Sequence, residues 1–283
     1  MPSFPMLALR SLAPLPLAAL HRLGSVLGWA IYGMSPTYRR HLRENLAAAR
    51  YDDPRLRRRA IASAGQLVME LPALWFRARG EVLALVKQVQ GDDAVLAAQR
   101  AGKAILFLTP HMGAFEIAAQ YAASRIPITV LYRRPKLAWL EPLMRAGRER
   151  PNVRLVPAEL RGVRKVFKAL ERGEAVGFLP DQVPGAGEGE WSDFFGRPAY
   201  TMTLAAKLAA RDNVACFLAF AKRLPRGAGY SILVQPFAPA RLGESATRRL
   251  NRALEELVAL CPEQYLWGYN RYKTPRGAKP PSA

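Results

Sequence analysis

The chain has 283 residues, 50% of them hydrophobic, and it carries 42 Lys and Arg against 22 Asp and Glu, a formal net charge of +20 at pH 7. Its length allows one large core or two modest ones, and its apolar content excludes an intrinsically disordered protein. The charge predicts an anionic partner such as nucleic acid, an anionic membrane surface, a phosphorylated substrate or an acidic carrier protein. Two cysteines, Cys216 and Cys261, are too few for a disulfide framework and are predicted to be core thiols.

The N-terminal segment is the most apolar part of the chain. Two charge-free runs, Ser11 to Leu20 and Leu23 to Tyr38, are separated only by His21 and Arg22. As one helix, residues 11 to 34 would measure about 36 Å and could span a bilayer, although two prolines and Arg22 argue against a clean span. Three interpretations therefore stay open: an interfacial or shallow membrane anchor, a transmembrane helix, and an ordinary core helix.

The basic excess begins beside this apolar segment, which favours a membrane over nucleic acid as the partner. Residues 1–60 hold ten arginines, no lysine and three acids. Arg39, Arg40 and Arg43 follow the apolar part at once and mark the cytoplasmic side by the positive-inside tendency. The predicted organisation is a membrane-anchoring helix over 1–38, a catalytic domain over 39–275 and a flexible tail over 276–283.

The body of the chain predicts an α/β fold. Residues 40 to 90 have a helical pattern in which Pro72 is expected to bend or end one helix, and strands and helices alternate afterwards. This alternation indicates a mixed, mostly parallel central sheet flanked by helices, whose last two strands form an antiparallel hairpin. Thr201 is expected to cap a helix. The predicted strands are Ala104–Leu108, Ile128–Tyr132, Val153–Val156, Ala175–Leu179, Val214–Ala221 and Tyr230–Val234.

The run from Thr109 to Glu116 is the strongest indication of function, because it follows the buried strand Ala104–Leu108 directly. It contains His111, one of three histidines, with the carboxylate of Glu116 five residues later. An α/β enzyme places polar groups where a buried strand ends, and a histidine that a carboxylate orients can accept a proton near neutral pH. The spacing alone is weak evidence. The alternative is a histidine satisfied at a strand end, with Glu116 on a solvated helix.

Two further strand ends carry polar side chains. Asp181 and Gln182 follow one strand, and Arg133 and Arg134 follow another. Arginine forks bind phosphate well, although a buried strand commonly ends in charge anyway. Aromatic residues beside the loop at 184–189 indicate either an apolar ligand or packing of that loop onto the core: Trp191, Phe194 and Phe195.

Several catalytic classes are not indicated. The sequence contains neither a glycine-rich nucleotide-binding fingerprint nor a Walker loop, and it has no G-x-S-x-G nucleophile elbow. It also lacks zinc-ligand spacing. We therefore predict an activity without cofactor or metal.

The order of these motifs resembles that of the bacterial lipid A biosynthesis acyltransferases, the late lauroyl or myristoyl transferases of the inner membrane. The resemblance runs from about Arg39 to Lys273. Any one motif is modest, but five in this order are specific. They are His111-x-x-x-x-Glu116, Tyr132-Arg133, Asp181-Gln182, Phe194-Phe195-Gly196-x-Pro198-Ala199-x-Thr201, and Pro262-Glu263-Gln264-Tyr265-Leu266-Trp267.

This resemblance implies a glycerolipid acyltransferase-like fold and transfer of a fatty acyl chain from acyl carrier protein to a hydroxyl of a lipid A precursor or related glycolipid. It further implies a catalytic domain on the cytoplasmic face of the bacterial inner membrane, without nucleic acid as a partner. Ala114 and Phe115 stand where the family often has Asn and Trp, which leaves the acceptor open. The rival functions are a lysophospholipid or glycerolipid acyltransferase that uses acyl-CoA or acyl carrier protein, and a non-catalytic basic membrane-surface or nucleic-acid-binding protein.

The family pattern makes His111 and Glu116 the catalytic pair. We expect His111 to be the general base, Glu116 to orient its imidazole, and the backbone N–H groups around Gly113 to stabilise the oxyanion. Asp181 and Gln182 are expected to shape the site. Four arginines are expected to hold the phosphates of the acceptor: Arg133, Arg134, Arg148 and Arg271.

Overall fold

The computed structural model describes residues 4–135 and 137–281, so part of the predicted 1–38 segment and the last two residues of the predicted tail lie outside the described residues. The helices are α1 Phe4–Leu12, α2 Leu17–Met34, α3 Pro36–Ala48, α4 Pro54–Phe76, α5 Arg79–Leu83, α6 Asp92–Arg100, α7 Phe115–Arg125, α8 Leu140–Arg148, α9 Leu160–Glu171, α10 Thr203–Ala209 and α11 Ala246–Ala259. The strands are β1 Val86–Gln90, β2 Ala104–Leu108, β3 Ile128–Tyr132, β4 Val153–Pro157, β5 Ala175–Phe178, β6 Gly189–Phe194, β7 Arg197–Met202, β8 Val214–Arg223 and β9 Tyr230–Pro236. Two short 3₁₀ turns follow β8 and α11, at Pro225–Gly227 and Pro262–Gln264.

Seven of the strands form one sheet in the order β1-β9-β8-β2-β5-β3-β4, and β6 and β7 form a separate antiparallel ribbon. All neighbours in the large sheet are parallel except β8 and β9, which pair antiparallel. The mixed, mostly parallel sheet is therefore confirmed, including the antiparallel hairpin. Apolar side chains from the flanking helices cover both faces of the sheet in two core clusters.

The six predicted strands are all present, with ends that differ by at most two residues. β2 and β3 are buried at every position, because strands in the middle of a covered parallel sheet have neighbours on both faces. The helical expectation for residues 40 to 90 is wrong at its end, where β1 occupies the sheet edge with three of its five residues exposed. The β6–β7 ribbon was also not predicted, and Thr201 lies within β7 instead of capping a helix.

The N-terminal segment forms two helices, not one, because the chain turns between α1 and α2 at Pro14 and Pro16. α2 packs closely on α4: a Cβ atom on Gly65 would lie 1.9 Å from the carbonyl oxygen of Gly24, so only glycine fits there. Among the residues that the structure describes, no helix combines the length and the apolar character that crossing a bilayer requires. In α4, Pro72 lies inside the helix and does not end it.

Candidate active site

The predicted strand ends meet at one edge of the sheet. β2 lies beside β5 and β5 lies beside β3, all parallel, so the residues that follow them converge. They line a cavity of about 300 Å³ that contains His111, Glu116, Arg133, Arg148 and Gln182 beside apolar side chains. Five of the eight side chains expected at the site therefore line one cavity.

His111 is held by Asp181 through two hydrogen bonds. The imidazole Nδ1 lies 2.8 Å from Asp181 Oδ1, and the backbone N–H of His111 donates to Asp181 Oδ2 at 2.9 Å. Burial by itself raises the pKa of the Asp181 carboxyl, but the electrostatic interaction with the His111 side chain and these hydrogen bonds outweigh it and hold the pKa below its ordinary value. Because an ionised carboxylate only accepts, Nδ1 carries the proton and Nε2 is left with its lone pair.

The second nitrogen of the imidazole faces the cavity. His111 Nε2 lies 3.2 Å from the side-chain amide nitrogen of Gln182, and the histidine side chain is 20% exposed. Phe115 packs edge-on against the ring with centroids 5.2 Å apart, which restricts its rotation. The basic nitrogen of His111, Nε2, is therefore in contact with a neutral donor, the Gln182 amide, which a substrate hydroxyl can replace.

Glu116 lines the same cavity but binds different partners. Its carboxylate accepts hydrogen bonds from the Arg148 guanidinium, including two of 3.0 Å from Nε, and one of 3.1 Å from the indole N–H of Trp75. Burial alone lowers the pKa of Arg148, whereas the Glu116 charge raises it above its ordinary value. The expectation that Glu116 orients the imidazole is therefore corrected: Asp181 is the carboxylate at His111, and Glu116 fixes Arg148.

The backbone at Gly113 is fully used by the fold. Gly113 adopts φ of +57°, and a Cβ atom there would lie 2.1 Å from the carbonyl oxygen of Ala221. Its N–H donates to the carbonyl of Gln264 at 2.9 Å, and the N–H of Ala114 donates to that of Ala221 at 2.8 Å. The expected oxyanion role of these N–H groups is thus corrected, since both are already engaged.

The loop that carries His111, residues 109–114, is anchored by two segments that are distant in sequence. The N–H of Leu266 donates to the carbonyl of His111, which explains why the motif 262–267 accompanies the histidine motif. Arg223, at the end of β8, donates to the carbonyl of Gly113 at 2.6 Å and to the buried carboxylate of Glu70 at 2.9 Å. Sequence reasoning missed both Arg223 and Glu70, because neither lies in a recognisable motif.

The four expected phosphate-binding arginines separate into two groups. Arg133 and Arg148 line the cavity. Arg134 is exposed, bonds to Glu141 and Glu159 and does not line the cavity, so the expectation that it holds an acceptor phosphate there is corrected.

Arg271 is likewise outside the cavity. It is 2% exposed and donates to the carbonyl of Tyr200 and the hydroxyl of Thr201, both at 2.8 Å, while its guanidinium lies over the ring of Phe194. These contacts make it a structural residue beneath the β6–β7 ribbon. Phe194 is itself buried, so the packing interpretation of the aromatics holds there.

A second, apolar cavity adjoins the first beneath α7. Phe115, Ala119, Val130, Phe178 and Leu179 line both cavities. The second cavity is lined mainly by aliphatic and aromatic side chains of α6, α7 and the sheet. Within residues 4–135 and 137–281, no three His, Cys, Asp or Glu side chains come together as a metal site would require. The site thus combines a histidine, two cations and an apolar recess.

Comparison with known proteins gives one family. The sequence model of the family described as bacterial lipid A biosynthesis acyltransferase matches residues 3–274. The chain is 26% identical over 272 residues to the lipid A biosynthesis lauroyltransferase of Escherichia coli (strain K12), covering 92% of this chain and 87% of that protein. It is 26% identical over 215 residues to the lipid A biosynthesis palmitoleoyltransferase of the same strain, covering 75% and 69%. The family match spans the N-terminal helices, the sheet and the cavity alike.

Proposed function

The chain belongs to the bacterial lipid A biosynthesis acyltransferase family and is an acyltransferase, and we propose that it transfers a fatty acyl chain from acyl carrier protein to a hydroxyl of a lipid A precursor. The observation that carries this proposal is the cavity in which His111, held by Asp181, faces two arginines and an apolar recess. The family supports a lipid A-type acceptor. The donor and the roles of individual residues are our proposal.

His111 acts as the general base. The acceptor hydroxyl replaces the Gln182 amide at Nε2 and gives its proton to that nitrogen, while Asp181 stabilises the imidazolium that forms. The acceptor oxygen attacks the thioester carbonyl carbon, the carbon–sulfur bond breaks, and the departing thiolate takes the proton from His111. The step needs no cofactor, because the thioester supplies the activated acyl group.

The Gln182 amide stabilises the developing oxyanion. It is a neutral donor 3.2 Å from His111 Nε2, and it has a second N–H to direct at the carbonyl oxygen. Gln182 thus takes the oxyanion-stabilising role that was expected of the Gly113 N–H, which is already bonded to the carbonyl of Gln264.

Arg133 and Arg148 hold the phosphates of the acceptor. Both residues line the cavity that contains His111, and planar arginine forks match phosphate geometry. Glu116 contributes through Arg148: it fixes the Nε and Nη2 edge of the guanidinium, while Nη1 lies 3.0 Å from Met144 Sδ, which also lines the cavity.

The acyl chain enters the apolar cavity beneath α7. The five residues shared by the two cavities connect the catalytic histidine to this recess, where an alkyl chain is removed from water. The recess extends toward α6, where Val95 and Leu96 line it.

The protein works at the cytoplasmic face of the inner membrane. Outward-facing apolar side chains on α2, including Val26 at 69% and Met34 at 77% exposure, support interfacial contact with lipid. The net charge of +20 suits both the anionic inner leaflet and an acidic acyl carrier protein.

The test is an acyl-transfer assay with purified full-length protein. Labelled acyl groups on acyl carrier protein and on coenzyme A are each offered with a lipid A precursor and with a lysophospholipid. We expect product only with the lipid A precursor, and much faster transfer from acyl carrier protein. Acylation of the lysophospholipid from acyl-CoA would support a glycerolipid acyltransferase instead, and absence of transfer from every pair would contradict an enzymatic role.

A further inference from the structure

A separate polar cavity, of about 960 Å³, opens between α2, α4 and the β8–β9 hairpin. Four exposed cations line it, each from a different segment: Arg22 of α2, Arg59 of α4, Lys222 of β8 and Arg226 of the turn after β8. The part of this cavity that these four cations surround is the basic groove. The groove shares no lining residue with the catalytic cavity.

The charge of the basic groove is not neutralised by the protein. Its four cations form no salt bridge with any residue that the structure describes, whereas other surface arginines do, such as Arg125 with Asp92. Arg223 at the floor of the groove is engaged with Glu70, and Glu263 is the one carboxylate among the described lining residues. Four like charges held around one cavity repel each other, and a bound anion relieves that repulsion.

The groove borders an exposed apolar surface. Leu23, Val26 and Trp29 on the outer side of α2 are 48%, 69% and 45% exposed. Leu260, which lines the groove, is 54% exposed. Arg22 is the neighbour of Leu23 in the sequence, so an anion bound at Arg22 lies beside exposed apolar surface. A phosphate attached to acyl chains fits this combination better than a soluble phosphate or an acidic protein surface, neither of which needs the apolar border.

We propose that the basic groove binds the phosphate headgroup of an anionic membrane lipid that is not the acyl acceptor. The inference rests on the proposed membrane location and adds to it a defined headgroup site. The bound lipid would fix α2 at the interface, with its apolar side in the membrane. Because α2 packs on α4 and α4 contributes Glu70 to the anchor of the catalytic loop, the headgroup site and the active site share one rigid support.

The test is vesicle sedimentation with full-length wild-type protein and the triple variant R59Q/K222Q/R226Q. Vesicles of phosphatidylglycerol mixed with phosphatidylcholine are compared with vesicles of phosphatidylcholine alone. Each cation near an anionic surface is worth about five-fold in binding, so we expect the variant to lose on the order of 100-fold in affinity for the anionic vesicles. Binding to the neutral vesicles, which depends on the apolar side of α2, should stay unchanged.

A matched control removes three charges elsewhere. R161Q/R164Q/K165Q neutralises three exposed cations on α9 and should bind anionic vesicles within a few-fold of wild type. An equal loss in both variants would overturn the proposal, because it would reflect net charge alone. The thermal unfolding midpoint of each variant establishes that it is folded.

Two further outcomes would also overturn the headgroup site. One is binding of inorganic phosphate to the wild-type groove as tight as that of the vesicles. The other is normal vesicle binding by the triple variant together with weakened binding of an acidic acyl carrier protein. Sedimentation is measured without any turnover, so failure of acyl transfer would count against the proposed function and not against the groove.

Discussion

Two histidine–carboxylate pairs lie within the described part of the chain, and they differ in what surrounds them. His21 Nε2 lies 3.1 Å from Glu70 Oε2, and His111 Nδ1 lies 2.8 Å from Asp181 Oδ1. Glu70 is fully buried, and the same oxygen also accepts from Arg223 and from the hydroxyl of Tyr230. Asp181 instead holds His111 from behind, and the other ring nitrogen faces the catalytic cavity.

The comparison shows that a histidine–carboxylate hydrogen bond does not define an active site. At Glu70 the buried charge is neutralised by Arg223, and the pair ties α2 to α4 and the end of β8. At Asp181 the charge is directed through one imidazole to a cavity that also holds Arg133 and Arg148. Access therefore distinguishes the pair that we propose as catalytic from the structural one: the His111 side chain is 20% exposed and its second nitrogen faces a cavity, whereas the His21 side chain is 8% exposed.

The largest expected effect separates the two histidines. His111→Ala removes the base, and we expect kcat/KM for acyl transfer to fall on the order of 10³- to 10⁴-fold without loss of folding. His21→Ala should leave kcat/KM within a few-fold of wild type but lower the free energy of unfolding by about 1–3 kcal/mol, because a buried hydrogen bond to Glu70 is lost. Turnover assays and denaturant unfolding of both variants check this. Near-normal turnover in the His111 variant would refute the mechanism.

The next effect tests the two carboxylates. In Asp181→Asn the amide can keep the hydrogen bond from the His111 backbone, but its NH₂ group donates to Nδ1 and forces the proton onto Nε2. We expect kcat to fall on the order of 10³-fold, because the imidazole is in the wrong tautomer. The readout is kcat under saturating substrates, with ¹⁵N chemical shifts of the imidazole reporting the tautomer.

Glu70→Gln is the matched control for that substitution. It leaves Arg223 buried beside a neutral amide, so we expect the free energy of unfolding to fall by about 3 kcal/mol. The ¹⁵N chemical shifts of the His111 imidazole in this variant should remain those of wild type. If the tautomer of His111 changed in Glu70→Gln but not in Asp181→Asn, the roles assigned to the two carboxylates would be reversed.

A smaller effect concerns Glu116 and Arg148, which the structure joins as a unit. Glu116→Gln keeps the shape but removes the charge that holds the guanidinium, and we expect kcat/KM to fall on the order of 10²-fold, about 2.7 kcal/mol. If the pair acts together, Glu116→Gln combined with Arg148→Met should be little worse than either single variant. Additive losses in this double-mutant cycle would indicate that Glu116 acts independently of Arg148.

Much of the fold was predictable because the middle of the sheet is buried on both sides. β2 is a continuous apolar run and β3 is apolar apart from Thr129 and the hydroxyl of Tyr132, and the limits of both strands agree with prediction at both ends. β1 was missed since three of its five residues are Lys87, Gln88 and Gln90, polar side chains that an edge strand tolerates. Its neighbour in the sheet is β9, far along the chain, and such pairing leaves no local signal.

The sequence predicted which residues lie at the site better than it predicted the hydrogen bonds between them. Parallel strand ends must meet, so His111, Arg133 and the residues after β5 were brought together correctly. The partner of His111 was not, because Glu116 is near in sequence whereas Asp181 is near in space through the β2–β5 pairing. Arg271 shows the same limit: in sequence it resembles the other basic residues, and only tertiary packing buries it.

The smallest effect that we predict compares two neighbouring arginines. Both residues are exposed, but Arg133 lines the cavity beside His111, whereas Arg134 does not and is bonded to Glu141 and Glu159. If Arg133 binds an acceptor phosphate in both ground and transition states, Arg133→Ala should raise the KM for the acceptor about ten-fold, roughly 1.4 kcal/mol, and leave kcat nearly unchanged. Arg134→Ala should change neither constant, because exposed ion pairs contribute little. Steady-state kinetics with the acceptor varied at saturating donor measure both variants. A rise confined to the KM for the acyl donor would move Arg133 from the acceptor to the carrier-protein side of the cavity.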